Sequence, residues 1–338
     1  MKRYITLFIS LLAMVLTAPA NAETKKIIIL ETMPVKVVTD HTNAIQSALR
    51  GLEKRRGWQF DIEVLSADGD KTRAIELLRQ SVAARRPDLV LPVATLAAQA
   101  AKEVLPDMRI PVIFSVVTDP VGAGIVSNID VPSGNFISGI VFPQHNNTRI
   151  ETVMRVLNLS ADDTKVTFGI IGSDYPSSIS DLRTYEQLAK TLPNIEFVSH
   201  SYNYKPVPSG LPEMYKNMLS GVEKIRDQVD FFWERGGPMA QIPKATQILI
   251  NSGKPVIFGF TERSVRQGAL MGVATDYADT GMQVANMTEK VFEGTDVGTL
   301  PVTVPRRFKL FINMKTAKKY GIKIPSHILM IAGENAIY

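Results

Sequence analysis

Short apolar runs alternate with amphipathic helical patterns along most of this 338-residue chain. An apolar run without alternating polar positions is typical of a strand buried on both faces, and helices between such strands favour a parallel sheet. The first set of predicted strands covers residues 26–31, 60–65, 89–93, 112–117 and 137–142. The second covers residues 166–171, 195–200, 231–233, 256–260 and 269–274, followed by a last strand near 308–312. The sequence therefore predicts an α/β protein with two doubly wound, parallel-sheet lobes.

The first 22 residues have the composition of a secretory signal peptide. Lys2 and Arg3 precede an apolar segment over residues 5–18, and Ala20-Asn21-Ala22 supplies an A-x-A cleavage pattern. The apolar segment is shorter than the roughly 20 residues that a transmembrane helix needs. The chain has no cysteine, so neither disulfides nor a lipid-bearing cysteine are expected. We therefore predict a soluble periplasmic protein without a lipid anchor.

Charge gives no indication of nucleic-acid binding. The formal net charge is +5, from 38 basic and 33 acidic residues, and loss of Lys2 and Arg3 with the signal peptide lowers it to +3. The basic clusters are short and dispersed, and no aromatic-rich basic stripe accompanies them. We expect solvated helix ends and loops at these clusters.

Motifs for catalysis, metals and cofactors are weak. The four histidines are scattered, without the spacing of a metal site. The chain has no G-x-S-x-G elbow and no P-loop, and the segment GAGIVS at residues 122–127 lacks the last glycine of the dinucleotide fingerprint. We predict no catalytic residue, no metal and no cofactor. A periplasmic hydrolase using Ser177 or Glu234 is the enzymatic alternative.

Polar residues follow the predicted strands at the points where ligands of open α/β sheets bind. The candidate ligand-binding residues in these loops are Thr32, Thr95, Ala97, Thr118, Asp119, Tyr175, Ser177, Ser178, Glu234, Arg235 and Thr261. Thr95 is expected to cap a helix whose free N–H groups face a ligand carboxylate, or to be a plain N-cap. Tyr175 and Trp233 are candidates for an aromatic wall, with burial in the core as the alternative for Trp233.

The pair Glu234 and Arg235 leaves two interpretations open. The two residues emerge from a very apolar strand, where their charges could orient a charged ligand. The equally simple alternative is a salt bridge with each other or with a neighbouring helix.

Four longer segments resemble the family of ABC-transporter substrate-binding proteins that includes tryptophan- and tyrosine-type binding proteins. They are RRPDLVLPVATLAAQAA, IPVIFSVVTDPVGAGIVSN with PSGNFISGIVF, GALMGVATDYADTGMQVANMTEKVFEG, and LPVTVPRRFKLFINMKTAKKYGIKIP. Their order and spacing carry the resemblance, which extends over nearly all of the chain after the signal peptide. The family is a branch of the type I periplasmic binding fold.

The resemblance implies two lobes joined by a three-segment hinge. The N-terminal lobe would contain residues 23–142 and about 275–300, and the C-terminal lobe residues 143–274 and about 301–338. The lobes would close on a small ligand, such as an aromatic amino acid. Helix N-termini would hold its carboxylate, and Asp276 would pair with its ammonium group.

The implied partners are an ABC permease and its ATPase at the inner membrane. The binding protein, as a monomer, would deliver the ligand to this permease. A ligand-sensing protein that partners a membrane receptor or sensor kinase is the alternative.

Overall fold

The computed structural model describes residues 24–142, 146–159 and 164–338. The predicted signal peptide lies outside these ranges. Within them, no helix is both long and apolar enough to cross a membrane.

The first lobe is built on a five-stranded parallel sheet with the strand order β2-β1-β3-β4-β5. Its elements are β1 (Thr24–Glu31), α1 (Lys36–Arg56), β2 (Gln59–Ser66), α2 (Lys71–Arg85), β3 (Leu89–Val93), α3 (Thr95–Val104), β4 (Val112–Val117) and β5 (Ile137–Val141). β3, β4 and β5 are buried along their whole length, which explains their continuous apolar sequences. β2 lies at the edge and has no fully buried residue.

The second lobe is built on a seven-stranded sheet with the order β12-β11-β10-β9-β8-β6-β7. Its elements begin with α4 (Asn146–Leu157), β6 (Val166–Ser173), α5 (Pro176–Ala189), β7 (Ile195–Tyr202), α6 (Leu211–Ile225), β8 (Phe231–Glu234), α7 (Pro243–Ile250), β9 (Val256–Gly259), α8 (Glu262–Gln267) and β10 (Met271–Thr275). After α9 (Tyr277–Phe292) follow β11 (Phe308–Asn313), α10 (Met314–Tyr320), α11 (Ser326–Ala332) and β12 (Ala336–Ile337). The prediction of two doubly wound α/β lobes is confirmed.

The chain passes between the two sheets three times. The first passage joins β5 to α4, and the second joins β10 to α9, which packs against α1 of the first lobe. The third follows Thr303, whose N–H donates to Gly139 O (3.0 Å) and whose carbonyl accepts from Val141 N (2.9 Å). The chain thus stays on β5 a few residues beyond the predicted lobe boundary near 300, before it returns to β11.

β11 departs from the parallel arrangement, because it pairs with β10 in the antiparallel direction. The chain leaves the second lobe at the carboxyl end of β10 and returns to it at the same edge, so β11 must run away from that edge. α8 and α10 contain six and seven residues, too few for a helical period to stand out.

Trp233 belongs to the core of the second lobe. Its side chain is 1% exposed, and its ring stacks on Phe258 with the centroids 4.6 Å apart. The core alternative for Trp233 is therefore the correct one, and the aromatic-wall prediction for this residue is wrong.

Candidate ligand-binding cleft

A cleft lies between the lobes, at the carboxyl ends of strands from both sheets. Protein atoms leave about 400 Å³ of space there, part of which opens to solvent. The described residues that line it include no charged side chain. They are Met33, Val35, Val37, Val38, Ala94, Thr95, Val116, Thr118 and Phe142, followed by Tyr175, Ser177, Gly237, Pro238, Gln241 and Phe260. The cleft is thus an apolar space bordered by a few hydroxyl and amide groups, which is typical of small-molecule sites.

Thr95 lines the cleft, but not as a helix cap. α3 begins at Thr95 itself, and Ala94 before it turns the chain with a φ of 76°. An N-cap side chain must come from the non-helical residue before the first turn. The predicted N-cap role of Thr95 is therefore wrong, and its hydroxyl makes no hydrogen bond with the described part of the chain.

The first turn of α3 is occupied in part by groups of the protein. Thr32 Oγ1 accepts a hydrogen bond from Ala97 N (2.9 Å), and both residues are fully buried. The hydroxyl of Tyr175, from the other lobe, lies near the backbone of Leu96 and the Thr32 side chain, and burial raises the pKa of Tyr175 so that this hydroxyl stays neutral. Thr32 and Ala97 therefore organise α3 from behind the cleft.

The first turn of α5 is more open. Ile179 N donates to Tyr175 O (3.0 Å), whereas the N–H groups of Ser177 and Ser178 have no acceptor among the described residues. Ser178 Oγ donates to Gly236 O (2.5 Å), so Ser178 supports the wall from behind. α5 thus presents two free N–H groups and the Ser177 hydroxyl at a helix N-terminus, which favours an anionic group.

Four polar side chains that line the cleft have no hydrogen-bond partner within the described ranges. Thr95 and Thr118 belong to the first lobe, and Ser177 and Gln241 belong to the second. Polar groups inside proteins are nearly always satisfied. These free groups on both sides of the cleft are available to a ligand.

Two aromatic rings supply much of the apolar surface. Phe142 and Phe260 meet edge to face with their centroids 6.2 Å apart. Behind Phe260, the guanidinium of Arg149 lies 5.0 Å from the centre of the ring. Arg149 is buried and donates to Asp181 (3.2 Å) and to the Tyr185 hydroxyl (3.0 Å). The floor of the cleft is thus held by a buried ion pair.

The Gly236-Gly237 pair lets the second lobe's wall approach α5. Gly236 N donates to Asp181 Oδ2 (2.7 Å). Gly237 has a φ of 123°, and a Cβ there would lie 2.5 Å from Ser178 Oγ. Only glycine fits at residue 237 without a shift of the backbone or of Ser178.

Glu234 and Arg235 do not line the cleft. The Glu234 carboxylate is buried, and it accepts hydrogen bonds from Thr246 Oγ1 (2.5 Å) and Phe260 N (2.7 Å); burial raises its pKa. Arg235 is also buried and donates to the backbone of Ser173. No ion pair joins the two side chains to each other among the described residues; Glu234 bonds to Thr246 of the neighbouring helix α7, and Asp181 of α5 stabilises the Arg235 charge. Their predicted ligand-binding role stays a prediction, and neither residue lines the cleft. Glu234 holds the turn that carries Phe260.

Three further candidates lie at the margins of the cleft and do not line it. Asp119 accepts a hydrogen bond from Gly122 N (2.7 Å) and one from Ser180 Oγ across the lobes. Thr261 caps α8 through Ser264 N (3.0 Å). Asp276 is half-buried and caps α9 through its Oδ1 atom.

The structure thus brings four of the predicted residues into the cleft lining: Thr95, Thr118, Tyr175 and Ser177. Sequence reasoning missed Phe142 and Phe260, although each ends an apolar run that it identified as a strand. Gln241 carried no sequence signal, because it lies in a short turn before α7. Within the described ranges, no group of three His, Asp or Glu side chains could hold a metal ion.

Two solved structures share this architecture over almost the whole chain. A complex of an ABC domain with L-Trp from Streptococcus pneumonia matches with a TM-score of 0.74, 23% identity, and coverage of 91% of this chain and 99% of that one. A conserved domain protein from Vibrio cholerae matches with the same TM-score and identity and with coverage of 92% and 99%. At these identities the similarity shows the fold.

Sequence comparisons agree with the fold. A protein named tyrosine-binding protein, from Clostridioides difficile (strain R20291), is 26% identical over 273 residues, or 80% of this chain and 73% of that protein. The family described as ABC transporter substrate binding protein matches residues 27–336. With a match of this length and a two-lobed fold around a cleft, the chain belongs to the ABC transporter substrate-binding protein family.

Proposed function

We propose that this protein captures an amino acid with an aromatic or large apolar side chain between its lobes in the periplasm. It then delivers the ligand, as a monomer, to the permease of an ABC transporter, and no bond is made or broken. The observation that carries the proposal is the set of four unpaired polar side chains, two from each lobe, around an apolar floor. The relatives whose names mention tyrosine and L-Trp support the ligand class.

The ligand carboxylate belongs at the N-terminus of α5. Ser177 lines the cleft, and the N–H groups of Ser177 and Ser178 have no acceptor among the described residues, whereas Thr32 already accepts a hydrogen bond from the first turn of α3. A carboxylate at a helix N-terminus gains typically about 0.3–1 kcal/mol, and up to ~2 kcal/mol when partly buried. α5, rather than α3, therefore supplies the main anion contact.

The side chain of the ligand belongs against Phe142 and Phe260. Aromatic pairs in edge-to-face or offset geometry contribute about 0.5–1.5 kcal/mol beyond the burial of their area. Met33, Val38 and Val116 continue this apolar surface on the first lobe. An aromatic amino acid uses all of this surface, whereas a sugar would leave it in contact with hydroxyl groups.

For the ammonium group we propose Asp276. The described residues that line the cleft carry no acid, and both oxygens of Asp119 already accept hydrogen bonds. Asp276 uses Oδ1 to cap α9, and its Oδ2 accepts no hydrogen bond from the described residues. It lies at the second passage between the lobes, directly after β10.

Ligand binding would then favour the closed arrangement of the lobes. Only that arrangement lets Thr95 and Thr118 on one side and Ser177 and Gln241 on the other touch the same molecule, so the ligand has a higher affinity for it. A micromolar dissociation constant corresponds to about −8.2 kcal/mol, which remains after the cost of closing and ordering.

Calorimetric titration with a panel of amino acids, organic anions and sugars tests the ligand class. We expect one molecule of L-tryptophan or L-tyrosine to bind per chain, with affinity weakened about 2- to 10-fold by Ser177→Ala and by Gln241→Leu, since each removes about one hydrogen bond. Ser209→Ala, in an exposed loop of the same lobe, is the matched control. Binding of a neutral sugar and of no amino acid would contradict the proposal.

Two ligands, one with and one without an ammonium group, separate the two roles of Asp276, which are the cap of α9 and the proposed ammonium contact. Asn is as good an N-cap as Asp, so Asp276→Asn removes the charge and keeps the cap. We expect this substitution to weaken the binding of L-tryptophan about 10-fold or more, because a charge-assisted hydrogen bond is lost. It should leave 3-(indol-3-yl)propionate, which lacks the ammonium group, unchanged. Equal losses of affinity for the two ligands would show that Asp276 does not bind the ammonium group.

A further inference from the structure

A second groove lies on the C-terminal lobe and shares no lining residue with the cleft. Protein atoms leave about 640 Å³ of space there, part of which opens to solvent, and the groove lies between the end of α8, the start of β9 and the junction of β11 with α10. Four cationic side chains line it: Lys254, Arg266, Lys315 and Lys319. The described lining residues include no acid.

Most of this positive charge is not neutralised by the protein. Arg266 is paired with Glu262 at 2.7 Å. The ammonium groups of Lys254 and Lys315 have no ion pair or hydrogen bond with the described residues. Among the described residues, the ammonium group of Lys319 contacts the Tyr320 ring alone, 4.8 Å from its centre. Three lysines from two separate parts of the chain therefore surround one groove with their charges available.

The lysines are not needed to complete the helix ends beside the groove. Two carbonyls at the end of α8 accept hydrogen bonds from other side chains: Asn313 Nδ2 donates to Val265 O (2.7 Å), and Thr316 Oγ1 donates to the O atom of the C-cap residue Gly268 (3.0 Å). The last turn of α10 is closed by Gly321 N and Ile322 N. Capping of helix carbonyls, the usual structural role of Lys near a helix C-terminus, therefore does not explain them.

The groove also lies in the most positive part of the chain. Residues 306–338 contain seven Lys and Arg residues and one Glu, a formal charge of +6. The whole chain carries +5, so residues 1–305 carry −1. This last part of the chain therefore creates a local positive potential on the C-terminal lobe, while the rest of the chain is nearly neutral.

We propose that this groove binds a phosphate-bearing anion, either free or as the headgroup of an anionic lipid. A lysine ammonium group is a compact point charge, and it binds phosphate in that way. Arginine instead has a planar guanidinium, which pairs with a carboxylate through two parallel hydrogen bonds. Three lysines around a groove suit a small group with several negative charges. Because the groove lies outside the cleft, this site is independent of the amino acid site proposed above.

Calorimetric titration of the purified protein with pyrophosphate at low ionic strength tests the site. The triple variant Lys254→Gln/Lys315→Gln/Lys319→Gln should weaken pyrophosphate binding at least about 10-fold, since three charge contacts are lost. The matched control Arg50→Gln/Lys54→Gln/Arg79→Gln removes the same charge from exposed residues of the first lobe and should leave pyrophosphate binding unchanged.

Sedimentation with phosphatidylglycerol vesicles distinguishes the sources of the phosphate. Binding to vesicles that the triple variant loses and the control keeps indicates a lipid headgroup, and pyrophosphate binding without vesicle binding indicates a soluble anion. Equal losses in the triple variant and the control would show that only net charge matters and would overturn the proposal. So would the absence of binding to both probes, with both variants unfolding at the wild-type temperature.

Discussion

His41 is a buried histidine at the junction of the lobes. Its ring has no exposed surface, and Nδ1 lies 2.8 Å from Val37 O, so Nδ1 carries the proton and Nε2 does not. The ring contacts Phe142 and Tyr277, with centroids 5.3 and 4.4 Å away. Phe142 lies where the chain first leaves the first lobe, and Tyr277 lies where the chain later returns to it. Burial lowers the pKa of His41 from 6.5 to about 4, while the Val37 carbonyl and Asp40 oppose this only in part.

The lowered pKa of His41 predicts a loss of stability in weak acid. In the unfolded chain the side chain takes up a proton below about pH 6.5, whereas the folded protein resists protonation until about pH 4. The free energy of unfolding should therefore fall by about 2 kcal/mol between pH 7 and pH 5 through this residue alone. Denaturant unfolding of the wild type and of His41→Gln at the two pH values measures it.

An exposed histidine provides the control for this measurement. His327→Gln should keep the wild-type pH dependence, whereas His41→Gln should lose about 2 kcal/mol of it. An NMR titration of the His41 ring gives the pKa directly, even if the variant is unstable. A pKa above 6 would contradict the buried neutral state.

Among the elements of the second lobe, α4 and α5 are joined by a buried ion pair. The Arg149 and Asp181 side chains are 1% and 0% exposed and lie 3.2 Å apart. Asp181 also accepts the Gly236 N–H, and Arg149 packs on the Phe260 ring. The pair therefore connects two helices to two segments that line the cleft.

Removal of one partner should destabilise the lobe strongly. Arg149→Met leaves the Asp181 carboxylate without a counter-charge, which typically costs about 3–5 kcal/mol. Lys36→Met, which breaks an exposed Lys36–Asp40 pair on α1, should cost less than about 1 kcal/mol. Urea unfolding compares the two. A loss below 1 kcal/mol in Arg149→Met would show that the buried pair contributes little.

The elements show what the sequence could predict and what it could not. β3, β4 and β5 are continuous apolar runs because both faces are buried, so they are visible without the structure. The direction of β11 depends on where the chain re-enters the lobe, which no local pattern records. Likewise, the polar strand ends near Thr118 and Ser177 were predictable. The hydrogen bonds of Glu234 with Thr246 and Phe260 could not be predicted from the sequence, because they depend on how three elements pack.

At the scale of the whole molecule, direct hydrogen bonds join the lobes beside the cleft. Ser180 Oγ donates to Asp119, and the Tyr204 hydroxyl donates to Gly69 O (3.2 Å). Tyr175 adds the contact with Thr32. These bonds connect residues of opposite lobes, so they exist only when the cleft is closed. They contribute to the closed state independently of any ligand.

Loss of one such bond should weaken ligand binding without a change inside the cleft. Tyr204→Phe removes the donor to Gly69 O, and a hydrogen bond contributes about 0.5–1.5 kcal/mol, so affinity should fall about 2- to 10-fold through faster dissociation. Tyr215→Phe is the control, because the Tyr215 ring contacts Lys244 of the same lobe. Stopped-flow dissociation rates measure the effect. An unchanged rate in Tyr204→Phe would show that these bonds do not control opening.

The central claim, that both lobes hold one amino acid in this cleft, is tested most directly by a crystal structure of the protein with L-tryptophan. We predict the carboxylate at the backbone N–H groups of Ser177 and Ser178 and the indole ring against Phe142 and Phe260, with Thr95 or Thr118 in contact from the first lobe. A ligand bound outside the cleft, or contacted by a single lobe, would contradict this claim.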